Sequence, residues 1–570
     1  MKFIEDSDEV VIIEDEEKEK KPKKQSKKSK PKKEKKSVKK EVKEKSKKAT
    51  ETEGEIDITS IITHITKSRE KGKILQTYEI KVDLIKVKVN IIESKPMNLY
   101  ELELPKISEI TKTLMQDIKA RLIKEVKLSA EQILDPHQVT KIKKTYMEKA
   151  LSMLKSRMHL SKETLNLIVT YLINEMIGLG NLEFLIADPE LEEIVVVCAT
   201  EPVRVYHKRF GWLETNLRLE NEEQILNYAS IIARRVGRQV TTLNPLLDAY
   251  LVTGDRANAV LYPINTKGNS ITIRKFAREP WTFTELIKNK TATTELFALL
   301  WQAIEYESNI LIAGGTASGK TTLLNVLLSF MPPQHRLISI EDTRELQLPE
   351  YLYWTPLVTR QANPEGKGEV TMLDLLVNSL RMRPDRIILG EIRRAREAEV
   401  LFEAMHTGHS VYATIHANTV AETIKRLTMP PINLPASLLR AVDLVVVMFR
   451  DRRKGIRRVL QLGEIVEAES RVDSNILYRY DPVNDTINKH ADSLRYFEDL
   501  SRNTGMSMAE IKKDIELRQS ILKWALKQEL SKLADISKLM KAYYSNKNLL
   551  LGIINSNQDF NTLIKKFTLQ

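Results

Sequence analysis

The stretch NILIAGGTASGKTTLLNVLLSF, residues 309–330, combines residue types and spacing that can hold a polyphosphate. Gly314, Gly319, Lys320 and Thr321 fall in the pattern G-x-x-x-x-G-K-[ST], with Gly315, Thr316, Ala317 and Ser318 between the glycines and Thr322 following. A loop this rich in small residues can curl until successive backbone N–H groups converge on one anion. A helix starting where the loop ends adds the positive end of its dipole. In that arrangement Lys320 reaches the β/γ-phosphates and the Thr321 hydroxyl ligates Mg²⁺. The apolar run Ile310 to Ile312 reads as the strand before the loop. The helically spaced Leu323, Leu324, Val326, Leu327 and Leu328 read as the helix after it.

Three further stretches carry chemistry. In SIEDTREL, Glu341, Asp342, Arg344 and Glu345 follow an apolar run, at the strand end where ligands bind in open α/β sheets. In RIILGEIR, a second apolar run delivers Gly390 and Glu391 to the same edge. A carboxylate there holds Mg²⁺ through water or orients an attacking water, and Gly390 leaves room for a backbone near the γ-phosphate. Because glycine stands where an aspartate is usual before such a glutamate, metal holding falls to Thr321 and the Glu341 cluster. In AMHTGHSVYATIHAN, His406 and His409 have i,i+3 spacing, but no cysteine is near and Gly408 interrupts them, which disfavours zinc. His416, at the end of the following strand, reads as an imidazole that senses the γ-phosphate.

These residues need an α/β framework. Past the loop, strands at RLISIED (336–342), RIILGEI (386–392), SVYATIHA (410–417) and DLVVVMF (443–449) alternate with helical patterns, which argues a mostly parallel sheet. RRVLQLGEIVEAE and NILYRYDP read as added antiparallel strands. Residues from Ser493 onward read as amphipathic helices with one break, at Gly505. Ahead of the loop, YEIKVDLIKVKVNII (78–92) alternates as one half-buried strand. Residues 107–180 turn helical, and 181–275 mix strands with the helix QILNYASIIARRVGRQV. The expected organisation is a Lys-rich disordered tail (1–55), an α+β domain (56–275), a linker at Pro280 (276–284), a phosphate-loop α/β domain (285–492) and a helical C-terminal region (493–570).

The net charge of +13 is local: 17 lysines against three glutamates between Lys20 and Lys48 leave the remaining 541 residues at about −1. The tail is open to three readings: a solvating tether, a contact to anionic lipid, or a contact to nucleic acid. The single cysteine, Cys198, excludes a disulfide within the chain, fits a reducing compartment and reads as a buried strand thiol. The acidic N-terminus lacks the pattern of a signal peptide, and the longest apolar run, LVVVMF, is too short to span a bilayer. Membrane association is therefore expected to be peripheral or through a partner.

In combination the four stretches resemble the secretion superfamily ATPases of type II secretion, type IV pilus and archaellum assembly. GGTASGKTT is similar to their Walker A, SIEDTREL to their Asp box, ILGEIR to their Walker B and TGHSVYATIHAN to their His box. VYHKRFGWLETN, NPLLDAYLVTGDRANAVL and ITIRKF point to the archaeal branch. The resemblance implies a RecA-like ATPase domain hinged to an N-terminal domain, a homo-hexameric ring, ATP and Mg²⁺ as cofactors, and a cytoplasmic motor on the inner face of the membrane, working on an embedded platform protein. It also implies Glu391 as the catalytic carboxylate, with Glu341, Glu345 and His416 beside it, and Arg256 or Arg274 closing over the phosphates. Arg393 and Arg394 stand where the family usually has Arg-Gly. The rival reading is a nucleic-acid-translocating, conjugation-type ATPase. The near-neutral body and the lack of a basic, aromatic-interleaved groove weigh against it.

Overall fold

In a computed structural model, residues 62–63, 72–104, 106–107, 109–125, 136–156, 160–251, 253–276, 279–362, 365–468 and 471–568 are described. The Lys-rich tail expected at 1–55 lies outside them.

Two nine-stranded sheets organise the described chain. The first contains β1 (Ile74–Val82), β2 (Ile85–Ile92), β3 (Leu99–Glu103), β4 (Leu191–Val196), β5 (Arg204–His207), β6 (Gly211–Thr215), β7 (Leu246–Tyr250), β8 (Arg256–Val260) and β9 (Ser270–Arg274), in the order β1-β2-β3-β6-β5-β4-β9-β8-β7. The alternating stretch 78–92 is thus two strands and not one. Asp83, at φ 50°, reverses the chain, and Val82 pairs with Ile85. Period-2 alternation is the same on both sides of a two-residue turn, so the pattern hides the hairpin. Between β3 and β4 run α1 (Glu109–Glu125), α2 (Pro136–Lys155) and α3 (Lys162–Met176), which share a core of Met115, Ile118, Leu122, Tyr146, Leu154 and Ile168. The short α4 (Leu182–Ala187) and α5 (Glu222–Arg235) pack on the sheet itself.

The second sheet contains β10 (Ile310–Gly314), β11 (Arg336–Glu341), β12 (Tyr353–Val358), β13 (Arg386–Leu389), β14 (Ser410–Ile415), β15 (Leu444–Asp451), β16 (Ile456–Ala468), β17 (Arg471–Asp481) and β18 (Thr486–Lys489), in the order β12-β11-β13-β14-β10-β15-β16-β17-β18. Pairing is parallel from β12 through β15 and antiparallel from β15 to β18. Strand β12 is an addition to the sequence reading. Its exposed Tyr353 and Val358 lie on a sheet edge, which blurs the apolar pattern.

Each central strand is buried on both faces, as parallel strands are. Ile310 and Ile312 join one core cluster while Leu311 and Ala313 join the other. The second cluster is covered by α9 (Met372–Ser379), α10 (Ala395–His406) and α11 (Val420–Thr428). The first is covered by α6 (Phe283–Lys288) and α7 (Thr294–Glu305), by the helix after the glycine loop, α8 (Lys320–Leu328), and by the C-terminal helices. These number five: α12 (Tyr496–Thr504), α13 (Met508–Lys527), α14 (Leu533–Ser545), α15 (Lys547–Asn555) and α16 (Phe560–Thr568). Gly505, at φ 73°, ends α12 as expected. Further breaks fall near Glu529 and Asn557, both at positive φ, where no glycine marks them.

Candidate functional site

Strand β10 ends at Gly314, and α8 begins at Lys320, so the loop 315–319 opens at the C-terminal edge of the parallel strands, between the strand and the helix. Glycine is required at both ends of it. Gly314 has φ 154°, and a Cβ there would stand 2.5 Å from Ser318 Oγ and 2.6 Å from the Met448 carbonyl. Gly319, the N-cap of α8, has φ 98°. Ala317 between them adopts φ 58° without being glycine. The Lys320 ammonium is folded back over the loop, donating to the carbonyls of Gly314 (3.0 Å) and Gly315 (3.1 Å). Its burial pulls the pKa below the ordinary lysine value. Glu391 and Glu345 oppose that shift and Arg274 reinforces it. Thr316 is exposed, Ser318 is buried with its hydroxyl on the Gly315 carbonyl, and Thr321 and Thr322 are half-buried on the first turn of α8.

The acidic residues converge on the same edge, each by a different route. Glu391 lies two residues beyond β13, with both carboxylate oxygens engaged. His416 Nε2 stands 3.0 Å from Oε1, and Arg393 reaches Oε2 through Nε (2.9 Å) and Nη2 (2.7 Å). His416 Nδ1 faces the Lys320 ammonium at 3.4 Å. A neutral imidazole protonated on Nε2 satisfies both contacts, because lysine can only donate and carboxylate can only accept. Arg393 also bonds Asp342, tying the two strand-end turns together.

Glu341, the last residue of β11, is buried. Its Oε1 accepts the backbone N–H of Glu345 (2.9 Å) and Leu346 (3.1 Å), while Oε2 has no partner among the described residues. Burial raises its pKa to about 7, against the lowering effect of those two backbone donors. Gly390 does not meet the glycine loop. Its N–H bonds the Ile340 carbonyl, and a Cβ there would meet the Ile340 carbonyl and Glu341 at 3.4 to 3.6 Å, an ordinary contact.

The two candidate arginines lie on adjacent strands of the first sheet. Tyr250, Arg256, Arg274 and Glu193 stand opposite one another in one row across β7, β8, β9 and β4, which directs their side chains to one face. Arg256 is held in a two-pronged ion pair with Asp248, at 2.9 and 2.6 Å. Arg274 is exposed, and its charge acts on the Lys320 ammonium. Tyr250 crosses to the second sheet, donating to the Asp342 carbonyl (2.9 Å) and sharing a hydrogen bond with Thr343 Oγ1 (2.6 Å).

The sequence reading passed over Tyr250 and the bridging geometry of Arg393, as well as Arg457, whose Nε donates to the Ala317 carbonyl at 3.2 Å. Arg457 lies 140 residues from the loop along the chain, and nothing in local spacing connects them. His406 and His409 stay apart from this edge: His409 is occupied by the Ala404 carbonyl and Thr407.

A glycine loop between a central parallel strand and a helix, with carboxylates at the ends of neighbouring strands, defines a RecA-like phosphate-loop fold. Residues 175–454 match the type II/IV secretion system protein family, and the chain belongs to it. It is 38% identical over 379 residues to an uncharacterized protein of Methanocaldococcus jannaschii, covering 65% of this chain and 68% of that one. A second uncharacterized protein of the same organism is 38% identical over 245 residues, covering 42% of this chain and 90% of that one. The type IV secretion system protein PtlH of Bordetella pertussis is 33% identical over 307 residues, covering 47% and 88%.

Proposed function

We propose that the protein is an ATP-hydrolysing motor that powers assembly or secretion of a pilus-like surface filament through a membrane-embedded platform protein, working as a homo-hexamer. The observation that carries the catalytic part is the chain from the glycine loop in which the Lys320 ammonium faces His416 at 3.4 Å and His416 faces Glu391 at 3.0 Å. No helix among the described residues is long and apolar enough to cross a membrane, so membrane contact is assigned to the partner or to a surface segment.

The residues fit MgATP. The loop N–H groups and the start of α8 suit the phosphates. The Thr321 hydroxyl and the unpartnered Glu341 Oε2 are hard oxygen donors of the kind Mg²⁺ takes, directly or through water. Held there, Mg²⁺ would neutralise charge on the phosphates during transfer. On nucleotide binding Lys320 exchanges the Gly314 and Gly315 carbonyls for phosphate oxygens, a charge-assisted bond in place of a neutral one. That movement loosens the Lys320 contact to His416, leaving the imidazole to report phosphate occupancy to Glu391. Glu391 orients the attacking water once it gives up one of its present partners, and Arg393, half-exposed and able to stay paired with Asp342, is the one that moves away. Arg274 closes from the first sheet over the phosphates, which links hydrolysis to movement of that sheet.

Turnover and nucleotide binding of purified protein test this. Lys320→Ala loses turnover. Glu391→Gln keeps MgATP binding and loses hydrolysis by roughly 10² or more, the scale of a positioned acid–base group. Substantial hydrolysis by Glu391→Gln removes Glu391 from the role. Stimulation of the wild type by DNA, with none by anionic liposomes, would replace the filament motor with a nucleic-acid motor.

A further inference from the structure

The hairpin β15–β16 has no part in the proposed chemistry, yet it touches the glycine loop at its most strained residue. Ala317 has φ 58°, a left-handed conformation that a residue with a Cβ adopts at a cost of about 1 kcal/mol or more. Its carbonyl accepts Arg457 Nε at 3.2 Å, and the Arg457 Cδ lies 3.5 Å from where a Cβ on Gly319 would stand. The guanidinium therefore spans the last residues before α8. Arg450, directly opposite Arg457 in the β15–β16 register, donates to the Tyr206 hydroxyl of the first sheet at 2.9 Å.

We infer that Arg457 is a positioning residue that pins the Ala317 peptide in its left-handed conformation and so presets the phosphate-binding loop, from a hairpin whose neighbouring arginine is anchored to the first sheet. The inference rests on the reading of this loop as a nucleotide site. A charge-assisted bond to a carbonyl compensates the backbone cost of Ala317. Without it, the Ala317 peptide relaxes toward negative φ, and the N–H groups after it turn away from their common focus. Glycine at 317 adopts positive φ without that cost, so it relieves the need for the arginine.

The test is binding of a fluorescent ATP analogue with Mg²⁺ to full-length wild type, Arg457→Ala, Ala317→Gly and the double variant, each checked for an unchanged far-ultraviolet circular dichroism spectrum. Arg457→Ala is expected to bind roughly tenfold more weakly, the size of one lost charge-assisted hydrogen bond. Ala317→Gly serves as the reference for the double variant: in that background the loss of Arg457 is expected to cost at most about threefold. A double variant that falls as far below Ala317→Gly as Arg457→Ala falls below wild type overturns the positioning role, since the arginine then acts on the ligand itself. Wild-type binding left unchanged by Arg457→Ala overturns the inference alone. Failure of the wild type to bind overturns the nucleotide reading and the inference with it.

Discussion

Glu341 shows how one residue type serves opposite ends depending on its surroundings. Two backbone donors anchor one oxygen while burial keeps the other out of water, and the result is a carboxyl with a pKa of about 7 against an ordinary 4.5. The folded chain holds this proton to higher pH than the unfolded chain does. Stability conferred by the site is therefore full below about pH 4.5, falls as the pH rises toward 7, and is level above that. Glu341→Gln keeps the accepting oxygen and removes the charge. Its unfolding free energy, measured by urea without nucleotide from pH 5 to pH 8, is expected to match wild type at the acid end and exceed it at the alkaline end, by up to about 3 kcal/mol. Glu391, beyond the neighbouring strand on the same edge, has both oxygens engaged, by His416 and by Arg393.

Among the elements, β16 does more than extend the sheet. It carries Arg457 to the glycine loop at one end and, toward the other, Glu464, which is fully buried. Glu464 accepts the backbone N–H groups of Leu494, Arg495 and Tyr496, the Ser493 hydroxyl and the Asn475 amide. A strand residue thus caps α12, supplying from a distance what the helix's own first residues lack. Removing it leaves several buried donors unpaired. Glu464→Ala is expected to lower stability by roughly 3 kcal/mol in urea unfolding. Loss restricted to the C-terminal helices, with the nucleotide site intact, is the alternative that calorimetry would separate. Those helices fill the same core as β10 and α7, so a single cooperative transition is the expected result.

Across the whole molecule, the row Tyr250, Arg256, Arg274 and Glu193 crosses the first sheet and reaches the carboxylate edge of the second through Tyr250. Tyr250 makes the direct link, to the turn whose Asp342 holds Arg393. Tyr250→Phe removes both hydrogen bonds and keeps the ring. Turnover is expected to fall severalfold while MgATP affinity stays within about twofold, because the change acts on the Asp342–Arg393–Glu391 chain and not on the phosphate loop. A fall in affinity with unchanged turnover at saturation would reassign Tyr250 to ligand binding.

What the sequence determined by itself was local. The glycine loop, the apolar parallel strands beside it and the charged residues at their ends were legible because each rests on contiguous spacing: φ freedom at Gly314 and Gly319, period 2 or near-continuous burial in strands, and helical periodicity in α8. Family resemblance then joined the pieces in the right order. The hairpin at Asp83, the edge strand β12 and the breaks between α13 and α16 were not legible, since turns made by non-glycine residues and half-exposed strands leave no sharp composition change. Only the tertiary structure decided which distant groups share the site. Arg457 on Ala317, Tyr250 on Asp342, and Arg393 between Asp342 and Glu391 depend on register and packing over separations that no local pattern encodes. Arg256 and Arg274 were equal candidates by motif. The fold gives them different surroundings: Asp248 pairs with Arg256, and Arg274 is exposed.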